Sequence, residues 1–213
     1  MTKQILLSQL QRDGYLKTSA IIQAFEKVDR KNFVRESERE VAYQNSALPI
    51  GHGQTISQPL VVAFMLELLQ PKRGEKILDV GVGSGWQAAL LADLVGTKGK
   101  IIAVERIPEL AEQARKNISK YKTLAKRVQI IQGDASRGLE GEAPFDKIIA
   151  AASAERIPSA WKEQLREGGT IVAPVGESIL RLRKTGEKSF EKSEFHGFRF
   201  VPLILGLSTG GSV

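Results

Sequence analysis

The sequence predicts an α/β fold: a doubly wound, mostly parallel sheet, with helices before it and an antiparallel strand pair after it. Three observations predict this. From residue 76 onward, short apolar runs alternate with stretches of helical length and periodicity. Between the first such run and the apolar segment that follows stand three glycines at alternate positions, Gly81, Gly83 and Gly85. The end of the chain changes habit, with two strand-like runs around a turn at Thr185-Gly186-Glu187.

The chain has 213 residues, 42% hydrophobic and 26% charged, which suits one soluble domain with a proper core. We read it as a single domain over 1–213. Its parts are a helical region at 1–70 containing a loop at 42–58, a sheet core at 71–175, and C-terminal strands and tail at 176–213.

Taken in order, Ile5, Leu6 and Leu10 make a first helical stripe. Ile21, Ile22, Phe25 and Val28 make a second, behind a cap at Thr18 or Ser19. Residues 42–58 are rich in Gly, Pro and polar side chains and read as a long loop, a kind of segment that is often functional. Pro59 opens an apolar helix running to Leu69. Strand 76–80, helix 85–95, strand 100–104, helix 108–120 and strand 127–131 follow. Strand 145–151, helix 158–166 and strand 170–174 complete the parallel part, and strands at 178–184 and 194–204 close the chain.

Composition excludes several functions. With no cysteine there is no disulfide, thiol nucleophile or thiolate metal site. The two histidines, His52 and His196, stand far apart, so no metal centre is expected. Neither a signal peptide nor a membrane span is legible, and a cytoplasmic monomer is expected. Net charge is +7. That sign suits nucleic acid, but the positives are scattered, and acids interrupt the densest run, Arg181 to Lys192, at Glu187 and Glu191. No aromatic platform interleaves with it. Nucleic acid is therefore disfavoured against a merely charged surface, and an anionic substrate would also be drawn to such a field.

The glycine loop is the most informative stretch. A strand, Ile77-Leu78-Asp79-Val80, runs into Gly81-Val82-Gly83-Ser84-Gly85 and then a helix from Trp86. Glycines let a ligand approach backbone N–H groups at a helix N-terminus. The next strand ends in Glu105, where a carboxylate can accept the two ribose hydroxyls of an adenosine. The third is followed by Gly133-Asp134, within reach of an adenine amino group. Either acid alone is more often solvated or a cap; the combination points to an adenosine cofactor. The spacing is not the G-x-G-x-x-G of dinucleotide binders, which argues against NAD. Asp79 either meets an amine, which S-adenosylmethionine has and NAD lacks, or accepts loop N–H groups.

These motifs, with Ala42-Tyr43, Leu48-Pro49-Ile50-Gly51-His52-Gly53-Gln54-Thr55-Ile56-Ser57, Glu105-Arg106-Ile107-Pro108-Glu109-Leu110, Pro144-Phe145-Asp146 and Arg199-Phe200-Val201-Pro202-Leu203, resemble the protein-L-isoaspartate (D-aspartate) O-methyltransferase family over about residues 15–204. The resemblance implies a class I, Rossmann-like methyltransferase fold. It implies methyl transfer from S-adenosyl-L-methionine, leaving S-adenosyl-L-homocysteine, to the carboxylate of isoaspartyl residues in damaged proteins. The ester then closes to a succinimide, which hydrolyses partly to normal aspartate. Cofactor residues implied are Asp79, Gly81, Val82, Gly83, Ser84, Gly85, Glu105, Arg106, Asp134 and Ala135. Substrate residues implied are Gln54, Thr55, Ile56, Val201, Pro202 and Leu203, with Ser57 as the active-site hydroxyl. Within the family pattern this chain carries Asp79-Val80 for a common Glu-Ile, Trp86 for Tyr, Ala135 for Gly and Leu60 for His, and its run at 150–154 lacks the usual Thr.

A carboxylate nucleophile is already ionised at neutral pH, so positioning and not a general base is the requirement. Ser57 can orient the carboxylate, or merely cap the helix from Pro59; Gln54 can bridge substrate or close its loop. His52 reads as a loop hydrogen-bonder, Trp86 as core, and His196 as solvent-facing. Alternatives are a methyltransferase for aspartyl residues of a biosynthetic peptide, an RNA methyltransferase, and a non-catalytic cofactor binder.

Overall fold

Alternation of Ile, Leu and Val along each strand decides how the sheet is covered. A computed structural model describes residues 1–203. Its elements are α1 (Lys3–Arg12), α2 (Ser19–Lys27), β1 (Leu48–Gly51), β2 (Gln54–Ile56), α3 (Pro59–Leu69), β3 (Lys76–Val80), α4 (Trp86–Val95), β4 (Lys100–Glu105), α5 (Pro108–Ser119), α6 (Lys122–Ala125), β5 (Val128–Gln132), β6 (Phe145–Ala150), α7 (Ser159–Gln164), β7 (Leu165–Val175), β8 (Ser178–Lys184) and β9 (Phe190–His196). The large sheet runs β5-β4-β3-β6-β7-β8-β9. β5, β4, β3, β6 and β7 are parallel, while β8 and β9 add antiparallel strands at one edge. This is the doubly wound, mostly parallel fold, with the strand order reversing direction at β3 and β6.

The period of two along each strand splits the core into two layers. Ile77, Ile101, Ala103, Ile149 and Val172 face a layer made by α1 to α5. Leu78, Val80, Ile102, Val104, Ile148 and Ala150 face a second layer around Trp161, Phe145 and Ile157. Asp79 shares the parity of Ile77, so its side chain is directed into the first layer, against α4, and is fully buried.

Two carboxylates, the part-buried Glu67 and the buried Glu75, tie elements together. Glu67 of α3 accepts from the Lys17 and Thr18 N–H groups, each at 2.7 Å, and from the Thr18 hydroxyl at 2.7 Å. It thereby satisfies donors at the start of α2, whose own Thr18 makes no side-chain cap bond. At the opposite end of the sheet from the glycine loop, the Lys147 ammonium donates to the Leu69 carbonyl at 2.6 Å and lies 3.9 Å from Glu75.

Several boundaries differ from expectation. The loop at 42–58 contains a small hairpin, β1–β2, turned at Gly51-His52-Gly53, where all three residues have positive φ. A short helix, α6, and 3-10 turns at Arg30–Asn32, Glu36–Val41 and Glu140–Glu142 were not foreseen. The helix expected at 158–166 stops at Gln164, and β7 begins at once, with Gly169 packed so closely that a Cβ would lie 2.8 Å from the Asp146 carbonyl. The last strand, expected at 194–204, is instead Phe190–His196. Gly197 then turns the chain at φ +91°, and Val201–Leu203 cross to Ser153: the Ser153 N–H donates to the Val201 carbonyl at 2.8 Å, and the Leu203 N–H to the Ser153 carbonyl at 2.7 Å. Position 204 and the predicted tail beyond it lie outside the described residues.

Candidate active site

A parallel sheet leaves a crevice at the carboxyl ends of its strands where their order reverses. Here that crevice is an open cleft. Val80-Gly81, Val104-Glu105, Gly133-Asp134 and Ala151-Ala152 form its floor from four strand ends, and Gly83, Arg106, Ile107, Leu110 and Ala135 add to its walls. Gln54, Thr55 and Val201–Leu203 form its rim. Thus the glycine loop, the two strand-end acids, the 42–58 loop and the C-terminal segment converge on one cavity.

The loop owes its shape to its glycines. Gly81, Gly83 and Gly85 have φ of 80°, 50° and 89°. A Cβ at Gly83 would stand 3.3 Å from Ile50, and one at Gly85 3.1 Å from Ile118. Gly85 thus serves close packing of the loop on α5, while Gly81 and Gly83 keep the cleft wall bare. Val104 anchors the loop by accepting from the Gly81 N–H at 2.9 Å and the Val82 N–H at 3.2 Å. Asn117 of α5 donates to the Ser84 carbonyl at 3.0 Å.

Glu105 braces the same loop. One carboxylate oxygen accepts from the Gly83 N–H at 2.9 Å, the other from the Ile107 N–H at 3.0 Å. A carboxylate has about four lone-pair sites, so two remain for ribose hydroxyls. Asp134 accepts from the Ser136 N–H at 2.8 Å, and the Ala135 carbonyl accepts from the Trp161 indole at 2.7 Å. This fixes the turn at the end of β5 beside the cleft.

Asp79 does not line the cleft; it sits behind it. One oxygen accepts from the Gln87 amide at 2.7 Å, and the other is buried without a hydrogen-bond partner. Burial pushes its pKa up to about 7; the Gln87 bond pulls down and the Glu105 charge pushes up. Val82, Ser84 and Ser57 also lie outside the main cleft. They line a shallow depression next to it with Ile56, Trp86 and Gln87, and the two hollows share Thr55, Gly81, Gly83 and Ala151. A third hollow joins Ser57 to Ala47, Val61, Arg199, Phe200 and Val201.

Ser57 is not the helix cap. Gln58 holds that position in α3 without a side-chain bond, and the Asn45 side chain accepts from the Leu60 N–H at 3.0 Å instead. The Ser57 hydroxyl makes no hydrogen bond among the described residues, so it is available to a ligand. Gln54 donates to the His52 carbonyl at 3.5 Å, a weak closure of its turn. Trp86 is 3% exposed and packs edge-to-face on Phe25 at 5.4 Å, as core. His196 accepts or donates at 2.8 Å with the Ser178 hydroxyl, away from the cleft.

Sequence reasoning did not single out Val104, Ile107 or Leu110 as wall residues. Ile107 and Leu110 carried a signal, standing inside a run already quoted for its pattern. Gln87 and Asn45 carried none, because their partners are set by tertiary packing.

The chain matches the family model described as protein-L-isoaspartate(D-aspartate) O-methyltransferase over residues 1–208. The chain belongs to this family. A protein-L-isoaspartate O-methyltransferase of Methanopyrus kandleri is 43% identical over 206 residues, covering 95% of this chain and 91% of that one. One from Aeropyrum pernix is 45% identical over 205 residues, covering 93% and 78%. Among solved structures, a Plasmodium falciparum protein described as a protein-L-isoaspartate O-methyltransferase, in complex with S-adenosyl-L-homocysteine, aligns with a TM-score of 0.85 at 26% identity, over 96% of this chain and 99% of that one. Membership in the isoaspartate O-methyltransferase family accords with a cleft built at the switch point. No helix among the described residues is long and apolar enough to cross a membrane.

Proposed function

We propose that this chain transfers a methyl group from S-adenosyl-L-methionine to the free carboxylate of L-isoaspartyl and D-aspartyl residues in damaged proteins, starting their repair. The observation that carries this is the meeting, in one cleft, of the glycine loop and Glu105 with the Gln54–Thr55 rim and the Val201–Leu203 segment. A cofactor side and a peptide side thus share a boundary in a chain of this family.

The residues present fit the cofactor. Gly81 and Gly83 expose bare backbone to the cleft, Glu105 keeps lone pairs for a ribose, and the unpartnered Asp79 oxygen is a buried acceptor behind the loop. In our reading Asp79, Gly81, Val82, Gly83, Ser84, Gly85, Glu105, Arg106, Asp134 and Ala135 hold or shape that site. When bound, S-adenosylmethionine supplies a methyl group already activated on a sulfonium. The protein's part is then binding, orientation and exclusion of water. Ser57 donates its hydroxyl to one oxygen of the substrate carboxylate and leaves the other free to attack. Gln54, Thr55 and Ile56 hold the hairpin side of the substrate, and Val201, Pro202 and Leu203 hold its backbone from the opposite rim. No base is needed, because the carboxylate is ionised at neutral pH. Alignment of this kind contributes about 7–11 kcal/mol in favourable cases.

The test is methyl transfer from radiolabelled cofactor to an isoaspartyl peptide, beside its aspartyl twin and bulk tRNA. Label on the isoaspartyl peptide alone, lost in mild alkali as an ester must be, is expected. Alkali-stable label on tRNA with a bare isoaspartyl peptide would overturn the assignment.

A further inference from the structure

The 42–58 loop needs an anchor, because most of it lies outside the large sheet and its two-strand hairpin is short. Asn45 accepts from the Leu60 N–H and the Tyr43 hydroxyl donates to Asp29, but one buried side chain bonds both ends of the loop at once. Arg30 follows α2 in a 3-10 turn and is only 2% exposed. Its guanidinium donates to the Ala42 carbonyl at 2.5 Å, the Ser46 carbonyl at 3.0 Å and the Ser57 carbonyl at 3.1 Å. It also lies 5.4 Å over the Trp86 ring, and Trp86 walls the depression that holds Ser57. Those three carbonyls belong to the two ends of one loop. Burial holds its pKa down to about 10, and among the described residues no carboxylate pairs with it. A buried cation that, among the described residues, meets carbonyl dipoles and a ring face and leaves its Nε without a partner is a costly way to fasten a loop. A cheaper apolar contact would cover the same surface without fixing the direction of three peptide groups.

We propose that Arg30 is a positioning residue for methyl transfer: its planar fork ties both feet of the 42–58 loop and sets where Ser57 meets the substrate carboxylate. This rests on the methyl-transfer reading above. The fork, more than the charge, is what the geometry uses. One guanidinium nitrogen bonds one foot, and the other bridges Ser46 to Ser57. A lysine carries the charge on a single rotatable ammonium and cannot reproduce that planar arrangement.

The experiment compares wild type, Arg30→Lys, Ser57→Ala and the double variant. Three quantities are read: kcat/KM on an isoaspartyl peptide, S-adenosylhomocysteine affinity by calorimetry, and amide hydrogen exchange of the loop. Arg30→Lys should lower kcat/KM by about ten- to a hundredfold, the scale on which small misplacement acts. Cofactor-product affinity should stay within about twofold, and exchange at 43–47 and 54–57 should quicken. Adding Arg30→Lys to Ser57→Ala should cost little more than Ser57→Ala alone, because the arginine acts through the serine. Additive losses, or a fall in cofactor-product affinity matching the fall in kcat/KM, would overturn the proposal and leave Arg30 a general stabiliser. Should the lysine variant not fold, Arg30→Gln, which keeps a planar donor without the charge, carries the same comparison. Failure of the wild type to methylate the peptide would sink the functional reading instead. Unchanged loop exchange in the Arg30 variant would sink the clamp by itself.

Discussion

At the scale of single residues, Ser57 and Asn45 exchange roles that sequence alone leaves undecided. A serine shortly before Pro59 reads as a cap from local pattern and as a site from the resemblance, and only the fold brings Asn45 to the Leu60 N–H. Two outcomes follow. Asn45→Ala should lower stability by about 1 kcal/mol, as lost helix caps do, in chemical denaturation. Ser57→Ala should leave stability within about 0.5 kcal/mol yet lower kcat/KM by about ten- to a hundredfold, the worth of one hydrogen bond to a charged group. Normal kinetics with a lowered melting temperature in Ser57→Ala would remove the serine from the site. Glu105→Ala should weaken cofactor binding by about 1.5–3 kcal/mol in calorimetry, and the two N–H groups it now braces should exchange faster. Asp79 makes a prediction in pH. Its folded pKa, about 7, lies above the ordinary 3.8. Below 3.8 both states are protonated and nothing is lost. Between 3.8 and 7 the unfolded chain ionises and the folded one does not, so stability falls as pH rises and levels off above 7. Asp79→Asn removes that loss. Its melting temperature should exceed the wild type's at pH 8, with the gap closing towards pH 4, while its cofactor affinity drops. A constant gap across that range would mean the carboxyl is not the titrating group.

At the scale of elements, long-range carboxylates do what local sequence does not. The start of α2 looks self-capped by Thr18, but its donors go to Glu67, on α3. Glu67→Ala should therefore cost about 1–3 kcal/mol in urea denaturation, since it orphans the part-buried Thr18 N–H and hydroxyl as well as the exposed Lys17 N–H; a loss under about 0.5 kcal/mol would show that water replaces it. This also marks which elements were legible. β3, β4 and β6 stood out because parallel strands buried on both faces read as near-continuous apolar runs, while β5, a part-exposed edge strand, showed through Val128, Ile130 and Ile131. The hairpin at 48–56 did not, because Pro49, Gly51 and Gly53 are turn residues in any local reading and its pairing is short. The final strand was set too late because Phe198, Phe200 and Val201 continue the apolar look of β9. Gly197 ends the strand, and those residues pack instead on α3 and beside the cleft: Phe198 stacks on Phe64 at 5.3 Å.

At the scale of the molecule, the cleft exists because three separate stretches reach the same end of the sheet. The glycine loop and strand-end acids come from the parallel core, the Gln54–Ser57 segment from the helical region, and Val201–Leu203 from beyond the antiparallel edge. Of the residues singled out from sequence, Gly81, Gly83, Glu105 and Asp134 lie in the cleft wall, while Gly85 packs on α5. Asp79 stands one layer behind, because strand parity directs its side chain to α4, a matter of register that the motif does not express. The basic charge of +7 found no role in this geometry. The central claim is repair by methylation of a misplaced carboxylate, and its most direct test follows one peptide through time. An isoaspartyl peptide is incubated with the protein and S-adenosylmethionine, and its species are separated by chromatography and mass spectrometry. The expected course is a methyl ester first, then a succinimide, then a growing fraction of the normal aspartyl peptide, with the aspartyl twin unmodified throughout. A stable methyl adduct that never yields succinimide, or equal methylation of both peptides, would contradict it.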